Sequence, residues 1–157
     1  MALFGLKSKV QIAPVETNGS LPDEENWVDL CRTYRDTVEI IDADPTVEEE
    51  YSDQEDDPIA VFTEAGKTEG KFSTFEFDNN TLADLFPEGT TVNGGFSASN
   101  SKGFETAIRF KTDSEHVISY AKVKLTVKKN IRLQKKAVAL IDCLFTPMSP
   151  IHIAKTA

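Results

Sequence analysis

The sequence predicts a mainly β fold, an antiparallel β-sandwich or barrel with one short flanking α-helix and a long acidic loop. Three observations lead there. Apolar residues recur mostly at every second position rather than at a helical spacing. Turn sequences rich in Gly, Asn and Pro separate the runs. Only one stretch carries a helical pattern between a start and a stop signal. The chain has 157 residues, 39% of them hydrophobic. That suits a single domain over residues 1–157 that can bury a core.

The elements follow in chain order. Leu6, Ser8, Val10 and Ile12 alternate with Lys7, Lys9 and Gln11, which predicts a first strand. Thr37 to Ile41 predicts a second. The stretch from Asp42 to Asp57 holds Pro45, many carboxylates and only Val47 and Tyr51 as large apolar groups, so it reads as a long loop. Ile59, Val61 and Thr63 open a third strand after Pro58, and Gly66-Lys67 turns into Lys71 to Phe77. There Phe72, Phe75 and Phe77 break alternation and suggest a bulge. Asn80 to Phe86 predicts the helix, capped by Asn or Thr and stopped by Pro87-Glu88-Gly89. Asn93-Gly94-Gly95 and Ser99 to Gly103 are turns.

Three longer strands close the chain. In Phe104 to Lys111, Phe104, Thr106, Ile108 and Phe110 face one way and Glu105, Arg109 and Lys111 the other. Val117 to Val127 repeats the pattern, with Val117, Ala121, Val123, Leu125 and Val127 against Tyr120, Lys122, Lys124 and Thr126. Its polar face is basic. Ala137 to Phe145 is apolar on both faces except for Asp142, as expected of a central strand.

Charge is divided unevenly along the chain. The formal net charge is -9, which disfavours general binding to nucleic acid phosphates. Asp23 to Asp57 holds fifteen acidic residues against Arg32 and Arg35, a local net of -13. Lys102 to Lys136 holds ten basic residues against Glu105, Asp113 and Glu115, a local net of +7. A subunit of this kind can place its acidic part against the basic part of a neighbour. Such a head-to-tail contact is heterologous and makes rings or open filaments. There is no apolar run of about 18 residues and no signal-peptide stretch at the start, so no membrane span and synthesis in a cytoplasm are expected.

Few residues suggest chemistry. Gly66-Lys67-Thr68 lacks the earlier glycine of a phosphate-binding loop, because Val61 occupies that place. Asp53, Glu55 and Asp57 have the alternate spacing of calcium ligands, but Pro58 stands where the calcium loop needs Gly. His116 and His152 have no flanking ligand or nucleophile and read as surface or strand-end residues. Cys31 and Cys143 fit neither a metal knuckle nor a disulfide framework and are expected to be reduced. Trp27 reads as a core or interface anchor. The expectation is no enzyme, no metal and no cofactor.

The order of features resembles the tail tube (major tail) proteins of bacterial viruses, and their relatives in contractile tails and secretion-system tubes. The resemblance runs through Gly5-Leu6-Lys7, Trp27 with Tyr34-Arg35-Asp36, the acidic stretch ending in Asp56-Asp57-Pro58, Phe72 to Phe77, the helix Asn80 to Phe86 and the final long strands. It implies copies that join into rings by sheet continuation, hexameric in the family pattern, and stack into a hollow conduit for DNA. It also implies the tail tip or baseplate, tail terminator and tape measure proteins as partners, and assembly in the host cytoplasm. The inter-subunit and stacking contacts expected are Glu48, Glu49, Glu50, Tyr51 and Asp53 of the acidic stretch, with Lys122, Lys124, Lys128 and Lys129 of the basic strand of a neighbour. Two alternatives stay open. One is another virion part, such as a tail terminator, completion or capsid decoration protein. The other is a β-sandwich module binding carbohydrate or a small ligand through Trp27, Tyr51 and Tyr120.

Overall fold

The computed structural model describes residues 10–34, 37–100, 102–133, 135 and 138–155. Its strands are β1 (Val10–Ala13), β2 (Val28–Cys31), β3 (Glu39–Asp42), β4 (Thr46–Glu50), β5 (Ala60–Glu64) and β6 (Thr68–Thr74). After helix α1 (Asn79–Leu85) come β7 (Thr90–Val92), β8 (Gly95–Ser97), β9 (Phe104–Lys111), β10 (His116–Asn130), β11 (Leu140–Pro147) and β12 (Ile151–Lys155). Among the described residues the fold is mainly β and antiparallel with one α-helix, as the alternating pattern predicts. Of the first expected strand, Leu6 to Lys9 lie outside the described residues, as do Gly5, Arg35, Asp36, Ser101 and Ala137.

Eight strands share one sheet in the order β2-β1-β9-β10-β11-β6-β3, with β12 beside the first half of β10. This sheet curls back on itself. The run leaving β2 reaches β6 through the Thr33–Thr74 bridge and a Tyr34 N–H donated to the Ser73 carbonyl at 2.7 Å. Its two margins therefore meet, and the inward side chains fill a barrel. Phe145 is the hub, with ring centroids 5.7 Å from Phe110, 5.9 Å from Tyr120 and 6.4 Å from Phe72. Aromatic pairs of this kind contribute about 0.5–1.5 kcal/mol each beyond their area burial. Gly70 lies opposite Phe145 across β6 and β11, and a Cβ there would stand 2.0 Å from the Phe145 ring. Leu85 and Phe86 at the end of α1 join the same core.

Long β10 serves two neighbours because it is kinked. Tyr120 pairs with Ile108 and Val123 with Thr106, so Ala121 and Lys122 together oppose Ala107, which is a β-bulge. The extra residue reverses the alternation. Tyr120, expected on the polar face, is consequently buried in the core, while Lys122, Lys124 and Lys128 stay on the outer face. At the same point β11 gives way to β12. Ser149 Oγ accepts the Lys122 N–H at 3.1 Å, and Met148 N–H donates to the Lys122 carbonyl at 2.8 Å.

Several expectations are corrected by this arrangement. The bulge expected in Lys71 to Phe77 is absent: β6 keeps unbroken register with β11 and β3, and Phe75 and Phe77 lie past its end. Phe75 instead meets Tyr34 edge-on. The helix cap is Asp78, whose carboxylate accepts the Thr81 hydroxyl at 2.7 Å. The acidic stretch 42–57 is not loop throughout, because Thr46–Glu50 is strand β4, paired with β5. Strands β2 and β12 and the small hairpin β7–β8 were not predicted. The hairpin turns at Asn93-Gly94, both at positive φ, as that turn sequence requires. Cys31 and Cys143 are free thiols buried in the core, and burial pushes Cys31 up to about 12.

Arg109 also departs from its expected exposed position. It is 6% exposed on the outer side of β9. Its guanidinium donates to both Glu24 carboxylate oxygens at 2.8 and 2.9 Å and to Gln11 at 2.6 Å, and lies 4.7 Å from the Trp27 ring centroid. This clasp holds the segment before β2 against β1 and β9, and gives Trp27 the anchoring role expected of it. Hydrogen bonding from Arg109 holds the Glu24 carboxyl below the ordinary carboxylate range.

Two outcomes follow. Gly70→Ala should lower the urea midpoint by the equivalent of about 1–3 kcal/mol, because the Phe145 ring must leave its seat; an unchanged midpoint would show that the ring does not depend on that gap. Glu24 contributes stability that is full above its unfolded pKa and lost as pH falls through its lowered folded pKa. With Glu24 largely in water this amounts to about 1 kcal/mol or less. Fluorescence of Trp27, the only tryptophan, followed in denaturation from neutral pH to about 3 should show Glu24→Gln less acid-sensitive than the parent chain; equal pH profiles would contradict the clasp.

Candidate assembly surface

Between Asp42 at the end of β3 and Thr68 at the start of β6 the chain makes an excursion. Its base is closed by Ala43 N–H donated to the Lys67 carbonyl at 2.7 Å, and by Gly66, whose Cβ would stand 2.0 Å from the Ala43 carbonyl oxygen. The excursion is the hairpin β4–β5. Its strands pair with each other and form a sheet of their own. Nine carboxylates and no base lie between Ala43 and Gly66.

Its register separates two faces, since residues directly opposite in an antiparallel pair point the same way. Glu48 pairs with Phe62, Glu50 with Ala60 and Thr46 with Glu64, which makes an acidic face bearing one phenylalanine. Val47 pairs with Thr63 and Glu49 with Val61 on the other face. Tyr51 and Ile59 extend that second face. The Ile59 N–H donates to the Glu50 carbonyl at 2.7 Å, and the Tyr51 hydroxyl donates to the Glu49 carboxylate. That bond raises the Tyr51 hydroxyl above the usual phenol range. Val47, Tyr51, Ile59, Val61 and Phe62 are each exposed by half or more. A two-stranded ribbon alone is marginally stable, and this one packs its apolar side chains against no other element of the described sheet.

The nine residues expected as inter-subunit contacts are thus placed in several settings. Glu48, Glu49 and Glu50 are consecutive on β4 and so divide between the hairpin faces, with Glu49 on the apolar one. Tyr51 and Asp53 lie in the turn that follows. Lys122 pairs with Glu105 at 3.5 Å. Lys124 packs its stem over Gly103, where a Cβ would meet it at 2.8 Å. Lys128 lies opposite Asp142 across β10 and β11. Lys129 belongs to the inward series of β10 and emerges at the barrel mouth, its Nζ 5.8 Å from the Phe86 ring centroid. Among the described residues, none of these lysines pairs with a hairpin carboxylate of its own chain.

Sequence reasoning missed the apolar face. Val47 alone, among glutamates, signals no strand. The usable signal was the mirrored spacing of Val47, Glu49 and Tyr51 against Ile59, Val61 and Thr63 across an acidic turn. His116 sits at the start of β10, as expected of a strand-end residue, with Nδ1 3.2 Å from the Ser114 hydroxyl. Trp27 is committed to Arg109 and Tyr120 to the core, so the three aromatics considered for ligand stacking share no surface. No helix among the described residues is long and apolar enough to cross a membrane. Comparison with models of known protein families finds no match, and neither does comparison with curated proteins.

Proposed function

We propose that this chain is a tail tube subunit of a bacterial virus, a structural protein whose copies join into rings and stack into a hollow conduit for DNA. The observation that carries the reading is the hairpin β4–β5, acidic on one face, apolar on the other and exposed on both. A single molecule leaves that apolar face in water, and a neighbouring copy would cover it. The order of sequence features shared with tail tube proteins supports the same reading.

Other features fit a passive conduit. The outer edge of β12 is unpaired among the described residues and offers backbone groups for sheet continuation between copies. Carboxylates lining a bore would repel DNA phosphates and limit adhesion during passage. The tail tip, terminator and tape measure proteins would meet the tube at its ends and within it, and the assembled product would belong to the virion.

Negative-stain electron microscopy of the purified chain over a range of concentration and salt tests the proposal. Hollow tubes of uniform diameter are expected. The variant Glu48→Lys, Glu49→Lys, Glu50→Lys should shorten or abolish them with unchanged far-UV circular dichroism, since these side chains lie outside the barrel core. Rings that never stack would transfer the reading to a terminator or completion protein. A monodisperse monomer in every condition, with a tail tip preparation added as nucleus, would contradict it.

A further inference from the structure

The connection between β10 and β11 lies at the opposite end of the barrel wall from the hairpin. Strand β6 begins at Thr68, beside the hairpin base, and ends at Thr74 opposite Ile141. At that far end Asn130 pairs with Leu140, and residues 131–139 join the two strands. Leu133 is 91% exposed and Ile131 52% exposed. Arg132 and Lys135 are exposed beside them, and Lys129 stands over Phe86 at the same mouth. No acidic residue occurs from His116 to Ile141, and no basic residue from Asp36 to Gly66. Glu76, just past Thr74, is taken up by Arg32 at 3.5 Å. The molecule therefore presents an acidic and apolar arm at one end and a basic and apolar crown at the other.

We infer that this crown is the receptor for the β4–β5 hairpin of a second copy of the chain. Ile131 and Leu133 cover the face formed by Val47, Ile59 and Val61, while Arg132 and Lys135 meet the carboxylates of the acidic face and turn. The occupant is a second copy because the arm carries both properties that the crown lacks a partner for: an apolar face of matching exposure and the opposite charge. The arm and the crown stand at opposite ends of the barrel wall, so an end-to-end contact leaves each molecule with one free arm and one free crown. The contact is therefore heterologous and repeats in one direction along the strands. This assigns the receiving surface to the β10–β11 connection and not to the outer face of β10 around Lys122 and Lys124. It rests on the self-assembly part of the proposed function and is independent of tube geometry.

Cysteine cross-linking tests it on the full chain, because native Cys31 and Cys143 are buried. Val61→Cys and Leu133→Cys chains are purified separately, mixed and treated with a short bismaleimide, and the linked peptides are identified by mass spectrometry. A link between Cys at 61 and Cys at 133 of another chain is expected, lost at high salt. Arg132→Glu with Lys135→Glu should abolish it, and adding Glu48→Lys with Glu50→Lys to the other chain should restore it. If Lys124→Cys in place of Leu133→Cys gives the dominant link, the receptor is the outer face of β10 and the inference is overturned. Assembly without the 61–133 link, a monomer at the highest soluble concentration, or capture of duplex DNA by the crown in place of the second chain would also overturn it. The 61–133 link in filaments that are not hollow would uphold this contact and refute the tail tube reading.

Discussion

The seat of Phe145 on Gly70 is the constraint from which the rest of the barrel is built. Phe145 reaches Phe72, Phe110 and Tyr120 only because the strand opposite it has no side chain at the point of approach. Those four rings come from β6, β9, β10 and β11, so one packing event ties the central wall together. Tyr120 can join them because the bulge at Ala121 and Lys122 turns it inward. The same bulge hands the far edge of β10 from β11 to β12. Interiors packed at crystal-like density transmit such constraints, since a ring that cannot sit in one gap has no second gap to occupy.

A filled barrel fixes its two ends relative to one another. At one end β3 and β6 leave the wall and send out the hairpin, whose base is pinned by the close approach of Gly66 to Ala43. At the other, α1 places Leu85 and Phe86 in the barrel mouth, and Lys129 rises beside them. The acidic and basic thirds of the chain are thereby separated in space as well as in sequence. Internal stability leaves neither end satisfied: the hairpin holds exposed valines, and the crown holds an almost fully exposed leucine. The directional contact proposed between copies would satisfy both.

Much of this was legible in the sequence where one face of an element is buried and the other wet. The inward residues of Phe104 to Lys111, the second half of Val117 to Val127 and the helix before Pro87 follow their periodicity. Legibility ended where a distant segment decided the outcome. Arg109 reads as a solvent-facing residue because Glu24 and Trp27, which cover it, lie some eighty positions away. Tyr120 reads as outward because a bulge leaves no mark in an alternating pattern. Thr46 to Glu50 reads as loop because its strand character comes from pairing with β5, not from burial. Of the candidate assembly surface, the charges were visible and the apolar face was not, since Val47, Ile59 and Val61 are brought onto one side only by the hairpin register. The residues Ile131 and Leu133 at the far end were passed over for the same reason, as apolar groups outside any periodic run.

Hydrogen exchange on the chain below and above its assembly concentration is the most direct test of the directional contact. Amides of residues 46–50 and 60–64 and those of residues 131–133 should slow together on assembly, because in the proposed contact the two ends cover one another. Protection gained along β12 alone, with the hairpin exchanging as fast as in the separate molecule, would contradict it.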